Sequence, residues 1–93
     1  FPGLTISLEK YEVHFQGKLI EMPPKELEVL YFLAAHQNRV FTREQLLEQV
    51  WGFDFFGDSR TVDVHIKRLR QGSESLGWQI RTVWGVGYQF EVK

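Results

Sequence analysis

Apolar and polar residues alternate at the start of the chain, first as Leu4-Thr-Ile-Ser-Leu8 and again as Tyr11-Glu-Val-His-Phe15. A period of two is the signature of half-buried strands, and Gln16-Gly17-Lys18 separates the second run from a third, Leu19-Ile20-Glu21-Met22. Three short antiparallel strands are predicted. Pro23-Pro24 ends that sheet and opens a helix, because a proline in the first turn loses no hydrogen bond. From Pro24 to about His36, Leu27, Leu30, Tyr31 and Ala34 recur at helical spacing, with Val29, Phe32 and Leu33 on other faces. That pattern predicts a largely buried helix. Thr42 and Gln45 stand at capping-box spacing and Phe41 and Leu46 at staple spacing, so a second helix is expected through Leu47 and Val50 to Trp51, where Gly52 ends it. Gly52 to Asp58 is a loop carrying three phenylalanines. Ser59 is placed to cap a third helix from Arg60 to about Gln71. Ile80 to Trp84 and Tyr88 to Val92 are β-prone runs around Gly85-Val86-Gly87, the pattern of a hairpin with a tight tip. The predicted class is α+β: an N-terminal antiparallel sheet, three helices and a C-terminal β-hairpin, in one domain over residues 1–93.

Composition narrows the partners. The 93 residues, 43% hydrophobic and 15% aromatic, suffice for one small core but not two. No cysteine is present, so disulfides and thiolate metal sites are excluded and a reducing, cytoplasmic setting is expected. The longest apolar run, Val29 to Ala35, is far short of the roughly 20 residues of a membrane helix, and no membrane partner is expected. The chain opens at Phe1 without a secretory pattern and is read as an excised piece of a longer protein. Its net charge of −1 conceals an asymmetry. Up to Asp58 five Lys/Arg face nine Asp/Glu; from Ser59 onward six face three. Arg60, Lys67, Arg68 and Arg70 crowd the third helix with Asp63 as its single acid. A local cationic face is what phosphate contact requires, whatever the total charge.

That helix carries the informative chemistry. Val62, Ile66 and Leu69 make one narrow apolar stripe that must face the core. The opposite face presents Arg60, Thr61, Val64, Lys67, Arg68 and Gln71, with His65 at its margin. Arginine makes bidentate contacts to guanine or grips phosphate, threonine does either, and a valine among cations packs against a thymine methyl. Taken alone, the helix is equally an ordinary solvated face with one exposed valine. Its neighbours decide.

The run Arg60-Thr-Val-Asp-Val-His-Ile-Lys-Arg-Leu-Arg70, followed by Thr82-Val-Trp-Gly-Val-Gly-Tyr-Gln-Phe90, resembles the OmpR/PhoB family of response-regulator effector domains. Pro24-Lys-Glu-Leu-Glu-Val-Leu30 and Thr42-Arg-Glu-Gln-Leu-Leu47 are similar to its first two helices. The resemblance implies a winged helix-turn-helix with a four-stranded N-terminal sheet, Val40-Phe41 supplying an extra strand. It implies double-stranded DNA as partner, the third helix in the major groove and the hairpin, or wing, at a flanking minor groove. Thr61, Val64, His65 and Arg68 would then face base edges. Arg60, Lys67, Arg70, Thr82, Tyr88, Trp51 and Arg43 would meet the backbone, and Trp84, Gly85 and Gly87 would form the wing. Phe53, Asp54, Phe55 and Phe56 fall in the loop through which some members contact RNA polymerase; aromatics closing over the core explain them equally well. The resemblance further implies a receiver domain in cis and a homodimer on tandem half-sites. Three features depart from it. Trp84 stands where many members carry arginine, Gly72-Ser73 suggests an early end to the third helix in a connection that is also short, and Pro23 replaces a threonine or serine cap.

Other classes fare worse. His14, His36 and His65 are scattered with no acid or nucleophile at a catalytic spacing, so no enzyme is expected. Clustered metal ligands are missing and Gly85-Val86-Gly87 lacks the context of a dinucleotide site, so no cofactor is expected. A winged-helix module that binds protein instead of DNA is the serious alternative, since fold alone does not exclude it. The combination of Arg60, Lys67, Arg68 and Arg70 with Thr61 and Val64 favours DNA.

Overall fold

The computed structural model describes residues 3–52, 57–72 and 78–92. The chain begins with a meander, β1 (Leu4–Ser7), β2 (Glu12–Phe15) and β3 (Lys18–Ile20), paired in the order β1-β2-β3. Leu4 lies opposite Phe15 and Val13 opposite Ile20. The strands are shorter than the alternation suggested, because Tyr11 and Gln16 take left-handed turn conformations at φ 51°. Helix α1 (Pro24–Ala35) follows, entered from an extended Pro23 that offers no side-chain cap, and closed at His36. Its buried positions are Glu26, Leu27, Val29, Leu30 and Leu33, whereas Tyr31 is exposed.

Strand β4 (Val40–Thr42) is the added segment that the family resemblance implied, but it does not join the N-terminal sheet. It pairs with β6 (Gly87–Val92), which in turn pairs with β5 (Trp78–Val83), giving a second three-stranded sheet in the order β4-β6-β5. The expected four-stranded N-terminal sheet is therefore three-stranded. The cause is the turn after α1, where Asn38 at φ 66° donates its backbone N–H to the Phe90 carbonyl and delivers the chain to the hairpin. Phe41 then lies opposite Tyr88 and Thr42 opposite Gly87.

Helix α2 (Arg43–Leu46) begins on the expected capping box: Thr42 Oγ1 accepts from the Gln45 N–H and the Gln45 side chain accepts from the Thr42 N–H. It continues as one wider π turn, Leu47–Trp51, closed by the Gly52 N–H on the Leu47 carbonyl. Gly52 sits at φ 103°, open to glycine at little steric cost. Helix α3 (Arg60–Gly72) includes Gly72, one residue beyond the expected end near Gln71, and Ser73 lies outside the described residues. The Asp58 carboxylate accepts the Arg60 N–H ahead of its first turn.

α1, α2, α3 and both sheets enclose one core. Val62, Ile66 and Leu69 are buried in it, as the stripe required. Burying such side chains is worth about 1.5–3 kcal/mol each, whereas an exposed ion pair contributes about 0–1 kcal/mol. The apolar stripe thus fixes which face α3 turns outward. Trp78 and Phe90 stack beneath the hairpin at 5.5 Å between ring centroids and fill the far side of the core.

Candidate nucleic-acid interface

With its stripe buried, α3 presents Arg60, Val64, Lys67, Arg68 and Gln71 to solvent, while Thr61 and His65 are half-buried at the edge of the same face. Val64 is 45% exposed, unusual for a valine inside a helix flanked by cations. The four cations of this helix differ in their surroundings. Arg60 is gripped by Asp58, 2.7 Å away, an exposed pair in which the hydrogen bond between the side chains holds the Asp58 carboxyl below its usual range and raises the guanidinium. Arg68 faces the buried carboxylate of Glu26 on α1 at 3.9 Å, yet most of its side chain remains in solvent. Lys67 has no ion-pair partner among the described residues. Arg70 turns away from the others, donating from Nε to the Ile80 carbonyl at 2.9 Å and from a terminal nitrogen to Thr82 Oγ1, with its guanidinium over the Tyr88 ring.

The backbone set expected from the sequence therefore divides. Arg60 and Lys67 lie on the exposed face with Thr61, Val64 and Arg68. Arg70, Thr82, Tyr88 and Arg43 bind one another's elements together. Asp63 is the hub that sequence reasoning missed: one carboxylate oxygen accepts from Arg43 at 2.7 Å and the other from the Tyr88 hydroxyl at 2.6 Å. Burial and then this hydrogen bond push the Tyr88 phenol up to about 12. The missed signal is positional, since Asp63 stands three residues before Ile66 and hence beside the buried stripe, where a lone acid in a basic helix calls for a partner on another element. Glu26, three residues before the buried Val29 on α1, was missed as well.

Trp51 ends the π turn with its ring edge-on to His65 at 5.0 Å, and Lys25 lies 5.7 Å over it. His65 Nδ1 donates to the Thr61 carbonyl at 2.8 Å, which leaves Nε2 as the ring's outer nitrogen. Trp84 is not packed on the domain: at the turn between β5 and β6 it is 90% exposed. Gly85 holds φ 79° in that turn, and Gly87 lies so close to Phe41 that an added Cβ would overlap its carbonyl oxygen. A groove of about 390 Å³ runs between the hairpin, from Thr82 to Tyr88, and Arg43, Glu44 and Asp63. Phe53, Asp54, Phe55 and Phe56 lie outside the described residues, as does Ser73. Among the described residues no group of His, Cys, Asp and Glu is arranged to hold a metal ion, and no helix is long and apolar enough to cross a membrane.

A helix pair joined through α2 and α3, with a three-stranded hairpin sheet clamped to the end of α3, is the architecture of a winged helix-turn-helix domain. The chain belongs to the transcriptional regulatory protein C-terminal family, of OmpR/PhoB type, whose pattern it matches over residues 17–90. It is 53% identical over 90 residues to the transcriptional regulatory protein YclJ of Bacillus subtilis, covering 94% of this chain and 39% of that protein. The response regulator DrrB, a Thermotoga maritima OmpR/PhoB homologue, superposes with a TM-score of 0.81 at 41% identity, over 98% of this chain and 42% of its own. The DNA-binding domain of Klebsiella pneumoniae RstA, solved in complex with the RstA box, gives 0.81 at 30% identity over 96% and 91%. The chain thus spans about two fifths of the full-length regulators it resembles.

Proposed function

We propose that this domain is the output half of a two-component response regulator and that it recognises a short double-stranded DNA site through the outer face of α3. The observation that supports this most directly is the composition of that face: Val64, Lys67 and Arg68 lie together in solvent, with half-buried Thr61 at their edge, because Val62, Ile66 and Leu69 are buried behind them. Thr61, Val64 and Arg68 read base edges, with His65 beside them at the groove wall. Lys67 and Arg60 hold phosphates. Arg70, Tyr88, Thr82 and Arg43 act one step back, fixing the wing and the start of α2 relative to α3.

In the whole regulator a receiver domain dimerises and sets two copies on tandem half-sites, which raises apparent affinity without a new contact. RNA polymerase remains the proposed partner of the loop that contains Phe53, Asp54, Phe55 and Phe56.

Selection from a random duplex library with the purified chain, followed by titration across a salt series, tests the DNA assignment. One enriched motif and affinity falling with salt are expected. Absence of both would favour a protein-binding winged helix. The division of labour is tested by Arg68→Lys and Lys67→Ala. Lysine keeps the charge opposite Glu26 but lacks the bidentate fork, so it should cost about 1–3 kcal/mol on the selected motif and relax preference at one base pair. Lys67→Ala should weaken all sequences alike and flatten the salt slope by about 0.9. Identical behaviour of the two variants across the library would refute the assignment.

A further inference from the structure

Glu26 stands in the first turn of α1 with 7% of its side chain exposed, the one buried charged residue among those described. Arg68 Nη1, 3.9 Å from Glu26 Oε1, is its single ion-pair partner among the described residues, and no donor reaches the carboxylate at hydrogen-bonding distance. The two side chains line a recess of about 70 Å³ whose other walls include Met22, Leu69 and Trp78. Trp78 Nε1 is buried without a hydrogen-bond partner, so the indole does not satisfy the carboxylate in place of Arg68. A buried carboxylate that loses its only cation is strongly destabilised. Arg68 is therefore tied to α1 by one end. The rest of it is free: 58% of its side chain is exposed on the α3 face, and no hydrogen bond engages its guanidinium among the described residues.

Resting on the DNA reading above, we propose that Glu26 is a specificity-determining positioning residue, which keeps one amino group of Arg68 against α1 and turns the remaining donors outward to a base edge and away from the flanking phosphates. A guanidinium has five N–H donors, and a bidentate contact to guanine N7 and O6 uses two of them. Arg68 makes that contact with Nη1 still facing Glu26. Reaching a phosphate at the edge of the groove requires the side chain to swing off Glu26 and leave the carboxylate unpaired. The matched base pair thus loses nothing to the tether. A mismatched sequence, on which an untethered arginine would grip phosphate instead, is denied that contact. Specificity is a difference of affinities, and Glu26 raises it by withholding a contact from the wrong partner.

The test takes the duplex selected by the wild-type chain, finds the base pair at which Arg68→Ala loses preference, and adds a second duplex altered at that pair alone. The wild type should prefer the first duplex about tenfold. Glu26→Gln, which keeps the shape and removes the charge, should bind the first nearly as before and the second more tightly. Its preference should fall to about twofold, and its salt slope on the second duplex should steepen by about 0.9. In the Arg68→Ala background the same substitution should change neither quantity. Thermal melts accompany every variant; if Glu26→Gln is unfolded at the assay temperature, Glu26→Asp, which draws the charge back by one methylene, should show the same loss of preference in smaller measure. Unchanged preference and slope, equal weakening on both duplexes, or the same effect with and without Arg68 would overturn the proposal and leave α3 recognition intact. So would an Arg68→Ala variant with undiminished preference at every base pair. Failure of the wild type to select any duplex would overturn both readings together.

Discussion

Arg70 belongs by sequence to the cationic run of α3, and by geometry to the wing. It donates to Ile80 and Thr82 and lies over the Tyr88 ring, so Arg70→Ala should act first on stability. Hydrogen bonds from a charged group are worth about 1.5–3 kcal/mol, and a loss of unfolding free energy of about that size, with a lowered thermal midpoint, is expected. An unchanged midpoint with weakened DNA binding would return Arg70 to the phosphate backbone. Tyr88 gives a second handle. Its phenol is raised from 10 to about 12, so its contribution to stability is complete below about pH 10 and is lost as the pH climbs through 12. Phenolate absorbance should show one tyrosine ionising well after the others, and Tyr88→Phe should remove that late step. Arg70 was legible as part of a phosphate-facing charge run, and Tyr88 as a backbone contact only through family resemblance. That they also tie elements of the fold together was hidden, because a sequence shows charge along one helix and not the acid, carbonyl or ring that another element brings to it. Asp63 and Glu26 illustrate the same blindness from the acidic side.

At the scale of elements, periodicity located the helices and the α3 stripe, although in α1 Tyr31, at helical spacing with Leu27 and Leu30, is exposed. The α3 stripe of Val62, Ile66 and Leu69 and the Thr42–Gln45 box lie where the spacing placed them. Three-residue β4 is too short for any period to show, and its pairing with β6 instead of the N-terminal meander depends on the turn at Asn38. The start of β5 at Trp78 was also missed, since its signal is a single buried aromatic beside Gly77. The close approach of Gly87 to Phe41 has a measurable cost if violated. Gly87→Ala must push β4 off β6, and a loss of stability larger than that of Thr42→Ala, itself about 1 kcal/mol, is expected in denaturant unfolding. Equal midpoints for the two variants would mean that the strands part without penalty.

Over the whole molecule, an overall charge of −1 divides into an acidic N-terminal part and a basic C-terminal third. The sum was uninformative and the distribution was not, because phosphate contact depends on the local field. The wing is another property of the whole. It is stitched to α3 by Arg70, to α2 and α3 through the Arg43–Asp63–Tyr88 relay, and to β4 along an entire strand edge. Its placement is thus redundant with the peptide that leads into it from α3. A chain severed between residues 72 and 73 should reassemble when the two fragments are mixed, recovering the circular dichroism of the intact domain; fragments that stay apart would show that the linkage itself positions the wing. Such redundancy leaves the connection between helix and hairpin free to change in length among relatives without moving the reading surfaces it joins.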